Sequence, residues 1–370
     1  MLDDGTVIDG IGFGSSTTVF GEIVFNTGMV GYTETLTDPS YAGQILTLTY
    51  PLVGNYGVPD PDITDENGIP KYFESSRIQI RGLVIHELST TASHWNLDMT
   101  LDEWLYRSGI PGISGVDTRD LTKRLRSDGV KMAALAVSDD EIDAAHLQER
   151  LACAPRYDSE QFMDATSTKH TKIYGTAEDA VVLVDTGTKN AIIRNIIEMG
   201  YKVVKMPWNA TTDEILSYKP RGVVISNGPG DPLQCQDTVK TARDLIRRNV
   251  PTLGICLGAQ IIGLAGNAKT HKLKYGHRGQ NKPCVDVENG QVYITSQNHG
   301  YGIRADSLED SEFELWFTNA DDHTVEGIRH QEKNCIAVQF HPEASPGPYD
   351  CKYVFEELGR LMEEGRSAKK

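Results

Sequence analysis

The chain lacks any cluster of basic residues. Its 370 residues carry 36 Lys and Arg against 52 Asp and Glu, a formal net charge of −16. Phosphate backbones are bound by clustered Lys and Arg, so nucleic acid is not an expected partner. The two densest basic stretches, residues 123–126 and 243–248, have the spacing of solvated helix faces. Cysteine is scarce: Cys153, Cys235, Cys256, Cys284, Cys335 and Cys351 form no Cys-x-x-Cys pair. That spacing argues against a zinc site or a disulfide framework and for reduced thiols in the cytoplasm. The first ten residues hold three aspartates and no Lys or Arg, so no secretory signal is expected. One uncharged stretch, residues 250–268, has about the length of a membrane span. It contains Pro251 and four glycines and reads instead as strand, tight turn and helix. No Gly-x4-Gly-Lys-Ser/Thr phosphate loop is present, and Gly10, Gly12 and Gly14 do not complete a dinucleotide fingerprint.

What is present is enough apolar material, 39% of residues, for two cores. In the C-terminal half, residues 181–184 form a continuous apolar run, the mark of a strand buried on both faces. Ile192, Ile193, Ile196 and Ile197 repeat at helical spacing and stop at Gly200. Further strands are expected at 202–206, 223–226, 252–255 and 335–340, alternating with helices. That rhythm predicts an α/β fold, a doubly wound, mostly parallel sheet with helices on both faces. A closing helix carries Val354, Phe355, Leu358, Leu361 and Met362, followed by a charged tail at 366–370. The first 138 residues read as a mixed, strand-rich α+β domain without parallel rhythm. There Leu46, Leu48 and Tyr50 alternate with Thr47 and Thr49 as in a half-solvated strand, and Thr100 and Glu103 form a capping box. Residues 139–178, polar and weakly periodic, are read as a linker to a second domain at 179–370.

The strongest chemical signal is Gly254-Ile255-Cys256-Leu257-Gly258. An apolar strand enters, a thiol follows, and a helix leaves, which is the pattern of a nucleophile elbow. Glycines flank it because the turn crowds backbone against backbone, and the helix N-terminus favours negative charge on sulfur. A base is offered by His341, just past an expected strand, in Phe340-His341-Pro342-Glu343. Pro342 favours an extended His341, and residues two apart in an extended chain share a side, so Glu343 can orient the ring. The loop Ser226-Asn227-Gly228-Pro229-Gly230-Asp231-Pro232 has the stiffness of an oxyanion hole, with the Leu257 N–H as second donor. Gln297-Asn298-His299-Gly300-Tyr301 gathers amide, imidazole and phenol groups around a glycine, with His299 read as a supporting or structural residue.

Together these motifs resemble the class I, triad-type glutamine amidotransferases. Phe25-Asn26-Thr27-Gly28-Met29, Leu36-Thr37-Asp38-Pro39-Ser40-Tyr41, Gly115-Val116-Asp117-Thr118-Arg119 and Glu343-Ala344-Ser345-Pro346-Gly347-Pro348 narrow the resemblance to the small-subunit family of carbamoyl phosphate synthetase. The resemblance implies a glutaminase that passes ammonia to a large synthetase subunit making carbamoyl phosphate, for arginine and pyrimidine biosynthesis. It implies a catalytic triad of Cys256, His341 and Glu343, and glutamine contacts at Ser40, Gly228, Gly230, Leu257, Gln260, Asn298, Gly300 and Tyr301. It implies no cofactor or metal in this chain, with ATP and Mg on the partner subunit. Two positions depart from the family's usual pattern, Ala259 in the elbow helix and Thr186 after Asp185. Two other readings use the same residues: a non-catalytic regulatory subunit of this fold, and a general thiol hydrolase.

Overall fold

The computed structural model describes residues 1–367, and the side chains of residues 1–364. The chain divides into two compact units, Met1–Glu160 and Gln161–Lys370. The division falls inside the stretch expected to be a linker, yet that stretch is not bare chain. It contains a helix at Ala144–Cys153 whose Leu147 and Leu151 are buried. Asp143 caps this helix through its carboxylate, a local signal that outweighs weak periodicity.

The first unit runs β1 (Ile11–Gly14), β2 (Thr18–Asn26), α1 (Tyr32–Thr37), β3 (Gln44–Leu48), β4 (Leu52–Val53), β5 (Gly82–Val84) and β6 (Glu87–Leu88). It continues with α2 (Leu101–Arg107), β7 (Pro111–Ser114), α3 (Thr118–Asp128), β8 (Lys131–Ala136) and α4, the helix at Ala144–Cys153. Its six-stranded sheet has the order β1-β7-β5-β3-β2-β8. The middle four strands are parallel and both edge strands pair antiparallel, so a parallel core exists where no parallel rhythm was expected. The rhythm was hidden because β3 and β5 are joined by a long, largely irregular connection in place of a helix. Because it lies inside the sheet between β5 and β2, β3 is buried at every position, Thr47 included, and not half-solvated. At α2 the Thr100 hydroxyl accepts from the Glu103 N–H, and the Glu103 carboxylate pairs with Arg107 one turn on.

The second unit contains α5 (Met163–Thr166), β9 (Lys172–Tyr174), β10 (Ala180–Asp185), α6 (Asn190–Glu198), β11 (Lys202–Pro207), α7 (Thr212–Ser217), β12 (Gly222–Ile225) and α8 (Gln236–Arg247). There follow β13 (Thr252–Ile255), α9 (Leu257–Ala265), β14 (Thr270–Asp286), β15 (Val292–Ile303), β16 (Phe313–Asn319), β17 (Val325–His330), β18 (Cys335–Val338) and α10 (Tyr353–Ser367). The tail expected at 366–370 thus starts within α10, and its last three residues lie outside the described ones. One sheet orders ten strands as β15-β14-β16-β17-β18-β13-β12-β10-β11-β9. Five adjacent strands, β11, β10, β12, β13 and β18, are parallel. The order turns back after β11, and right-handed crossovers then place α6 on one face and α8 on the other. Beyond β18 the sheet continues antiparallel through β17, β16, β14 and β15. This extension had no clear sequence signal, because β14 mixes charged and polar residues and its pairing with β15 is interrupted by two register shifts.

The join between β13 and α9 crowds backbone against backbone. Cys256 takes φ 54° and ψ −103°, a conformation that L residues with a Cβ rarely adopt. Its N–H bonds the Val338 carbonyl at 2.9 Å, and the Gly258 N–H bonds the Ser226 carbonyl at 3.0 Å, so neighbours on both sides fix the turn. A Cβ on Gly258 would lie 2.1 Å from the Ile225 carbonyl oxygen, and one on Gly254 would lie 2.6 Å from that of Gly258. Gly258→Ala should therefore cost about 3 kcal/mol or more of stability, because the obstacle is backbone. Urea unfolding followed by circular dichroism will measure it; a loss below about 0.5 kcal/mol would mean the turn relaxes.

Candidate active site

Four loops that leave neighbouring parallel strands carry the polar residues of this site. They follow β10, β12, β13 and β18, all at carboxyl ends, where the reversal of strand order opens a crevice. Cys256 stands after β13 and His341 shortly after β18, and these two strands pair directly through Ile255 and Val338. His341 is therefore delivered beside the thiol by sheet register. Its charge and side-chain interactions include Cys256, while among the described residues Nε2 has no partner at hydrogen-bond geometry. Both residues are buried, Cys256 at 1% and His341 at 3% exposure, so the thiol is enclosed and not perched at an open edge. The Cys256 Sγ lies 3.6 Å from the Asn298 carbonyl oxygen on β15.

Glu343 Oε1 lies 2.6 Å from His341 Nδ1. The contact does not arise from an extended segment as expected. The Ala344 N–H bonds the His341 carbonyl, so His341 to Ala344 form a turn that folds Glu343 back under the ring. Proline after His341 suits the second position of such a turn. Burial is the largest influence on the imidazole and works to lower its pKa. Glu343 and then Cys256 outweigh it, and the result lies above the ordinary imidazole value. For Glu343 burial pushes upward, but the Lys189 ammonium and then His341 hold it down, to about 2.

Lys189 was not singled out in the sequence. Its ammonium lies 3.1 Å from Glu343 Oε1 and donates to the Ala344 carbonyl at 2.8 Å, with the residue 4% exposed. The one available signal was a lysine placed between a buried strand and a strongly apolar helix. Gln339 was also missed: its Oε1 accepts from Gln260 Nε2 at 3.1 Å. Gln260 donates as well to the Tyr301 carbonyl at 2.8 Å, so α9 is tied to β15 by the side chain expected to touch glutamine.

Gly228 and Gly230 lie in the loop after β12. A Cβ on Gly228 would fall 1.9 Å from the Thr186 carbonyl oxygen, and Gly230 takes φ 91°. Thr186 earns its place there: its hydroxyl donates toward the Ser226 and Asn227 carbonyls at 2.8 and 3.0 Å and pins the loop. Asn227 Oδ1 accepts from the Lys189 N–H at 3.0 Å. The Leu257 N–H is the first of α9, where no carbonyl one turn back can accept it. Ala259, the other departure, is buried in α9. Asn298, Gly300 and Tyr301 all sit on β15. His299 between them is buried, with Nδ1 2.8 Å from the Tyr301 carbonyl. Ser40 belongs to the first unit, in a short turn capped by Asp38, and is also buried.

The chain matches two family descriptions. Residues 1–135 match the carbamoyl-phosphate synthase small chain, CPSase domain, and residues 182–361 match glutamine amidotransferase class-I. It is 44% identical over 366 residues to a carbamoyl phosphate synthase small chain of Pyrococcus furiosus, covering 98% of this chain and 97% of that one. A protein of the same name from Sulfolobus acidocaldarius is 47% identical over 362 residues, covering 98% and 95%. That of Methanocaldococcus jannaschii is 45% identical over 368 residues, covering 98% of each.

Lys189→Met removes the cation that holds Glu343 down and leaves a buried carboxylate short of charge, which should cost about 3–5 kcal/mol. Glu343's folded value is depressed, so its contribution is present above the ordinary carboxylate value and fades as pH falls through about 2. In the variant the loss begins at higher pH, so the midpoint of acid unfolding, followed by circular dichroism, should rise. An unchanged midpoint would remove Lys189 from this role.

Proposed function

The chain belongs to the carbamoyl-phosphate synthase small chain family and carries its glutamine-hydrolysing role, and we propose that Cys256, His341 and Glu343 are the groups that cut L-glutamine. The observation that carries this is the alignment of a thiol in a strained strand-to-helix turn, an imidazole just past the paired strand, and a buried carboxylate bonded to the imidazole. In the first step the thiol proton passes to His341 Nε2, whose raised pKa favours the imidazolium, and the thiolate Sγ attacks the side-chain amide carbon. The oxyanion of the tetrahedral intermediate is stabilised by backbone N–H groups of Leu257 and the Gly228–Gly230 loop, where one donor is typically worth about 10²–10³ in rate. His341 then gives its proton to the departing nitrogen, ammonia leaves, and a thioester remains. Water deprotonated by the same ring attacks the thioester carbon and yields glutamate and the free thiol. Glu343 holds the ring by Nδ1 and stabilises its cationic form throughout.

Glutamine itself is held by Gly228, Gly230, Leu257, Gln260, Asn298, Gly300 and Tyr301 of the second unit. Ser40 joins this set on the family resemblance alone. Ammonia in neutral water is mostly ammonium, a poor nucleophile, which gives a physical reason to pass it directly to a partner. That partner is a large synthetase subunit, which binds ATP and Mg and makes carbamoyl phosphate for arginine and pyrimidine biosynthesis, in the cytoplasm. Among the described residues no helix is long and apolar enough to cross a membrane.

The nucleophile is tested by incubating the chain with 6-diazo-5-oxo-L-norleucine and mapping the adduct by mass spectrometry. One label on Cys256 is expected, and a label on any other residue overturns the assignment. Cys256→Ser should lower glutamine hydrolysis by at least about 10⁴-fold. In complex with the large subunit the same variant should retain ammonia-dependent synthesis of carbamoyl phosphate; loss of both would assign Cys256 a structural role.

A further inference from the structure

Behind the β15 segment lies a buried ionic cluster that the chemistry above does not use. His277 on β14 stands directly across from His299 on β15, and their rings meet edge to face at 5.1 Å. His277 Nε2 lies 2.8 Å from Asp322 Oδ2, in the turn between β16 and β17. Its Nδ1 lies 3.3 Å from Glu326 Oε1 on β17, and His299 Nε2 is 3.9 Å from the same oxygen. Glu326, His277 and His299 are 0%, 5% and 4% exposed. Burying a carboxylate and an imidazole this fully is costly unless they pair, so the cluster has to be accounted for.

We propose that the His277–Glu326 pair, braced by Asp322, is a positioning device for the glutamine site: it fixes the His299 ring and thereby the placement of Asn298, Gly300 and Tyr301. This rests on the reading of that segment as a glutamine-binding strand. The mechanical path is short. His299 Nδ1 faces the Tyr301 carbonyl, which also accepts from Gln260 of the elbow helix, and the neighbouring Asn298 carbonyl faces the Cys256 thiol. On the other side the Glu326 carbonyl accepts from the Gln339 N–H at 2.8 Å, and the Gln339 side chain meets the same Gln260. The cluster thus grips both strands that bracket the elbow helix. Burial lowers the His277 pKa, but the hydrogen bond to Asp322 and the nearby Glu326 carboxylate prevail and raise it to about 9, so the ring is a cation at neutral pH. Burial and the charge of His277 both push His299 the other way and keep it neutral. A neutral His299 with its proton on Nδ1 is the form that can donate to Tyr301.

His277, His299 and Glu326 also place three donor atoms within 4.8 Å of one another, a spacing that a divalent metal can use. A proton on His277 accounts better for the geometry. Both His277 ring nitrogens face carboxylate oxygens, Asp322 Oδ2 at 2.8 Å and Glu326 Oε1 at 3.3 Å, so each is best served by a hydrogen.

The test is steady-state glutamine hydrolysis by the full chain carrying Glu326→Gln, His277→Gln, and both together. Each single change leaves a buried partner unpaired and should raise KM for glutamine about 10- to 100-fold, with kcat within about threefold, since the triad is untouched. The double variant, with both charges gone, should recover at least about tenfold of that loss, an outcome that simple loss of packing does not give. Asp322→Asn, at a half-exposed position, guards against misfolding and should raise KM in the same direction by about threefold. An unchanged KM in folded single variants, an equal fall in kcat, or a double variant worse than either single one overturns the proposal. So does one equivalent of bound metal in the wild type by elemental analysis, lost in His277→Gln. A wild-type chain that turns over no glutamine overturns the function itself, which separates the two failures.

Discussion

Glu343 is a fully buried carboxylate, and the site depends on how its charge is met. A lone carboxylate there would be protonated or would force water into the fold. Lys189 from the loop after β10 and His341 from the loop after β18 both meet its Oε1, which links strands that lie three places apart in the sheet. The imidazole is held by a charge that is itself held, and this fixes which ring nitrogen faces the thiol. The ionic arrangement is therefore both a stabilising contact across the reversal in strand order and the device that orients the base. Stability and reactivity share the same three atoms.

The left-handed turn at Cys256 is the second constraint. Its strain persists because the Cys256 and Gly258 N–H groups are each claimed by a neighbouring strand, and because glycines at 254 and 258 leave no Cβ to push back. The loop after β12 then has to approach the Thr186 backbone closely, which only glycine at 228 allows. Thr186 supplies a hydroxyl that fastens the loop, and Ala259 is buried in α9.

The antiparallel extension of the sheet supplies what the parallel strands cannot. A site at strand ends is open on one side, and β15 closes it by running past the elbow helix. That strand has little apolar grip where it passes the thiol, since Gln297, Asn298 and His299 are polar and buried together. Its position has to be fixed by hydrogen bonds and charge, and the cluster of His277, Asp322 and Glu326 stands where such bracing is needed.

The elbow at Cys256, the parallel strands around it and the pairing of His341 with Glu343 were legible in the sequence, because each is carried by residues close together along the chain. Apolar runs, glycines at fixed offsets and a proline after a histidine are local facts with local consequences. Even so, the His341–Glu343 contact was reached for a reason that differs from the real one, a turn and not an extended segment. Lys189, Gln339 and the His277–Glu326 pair were not legible. Their meaning lies in which strands the sheet sets side by side, and a lysine 154 positions from its carboxylate carries no mark of that partner. Sequence by itself determined the chemistry that neighbouring residues can express; charge compensation among distant buried groups was decided only when the fold removed them from water.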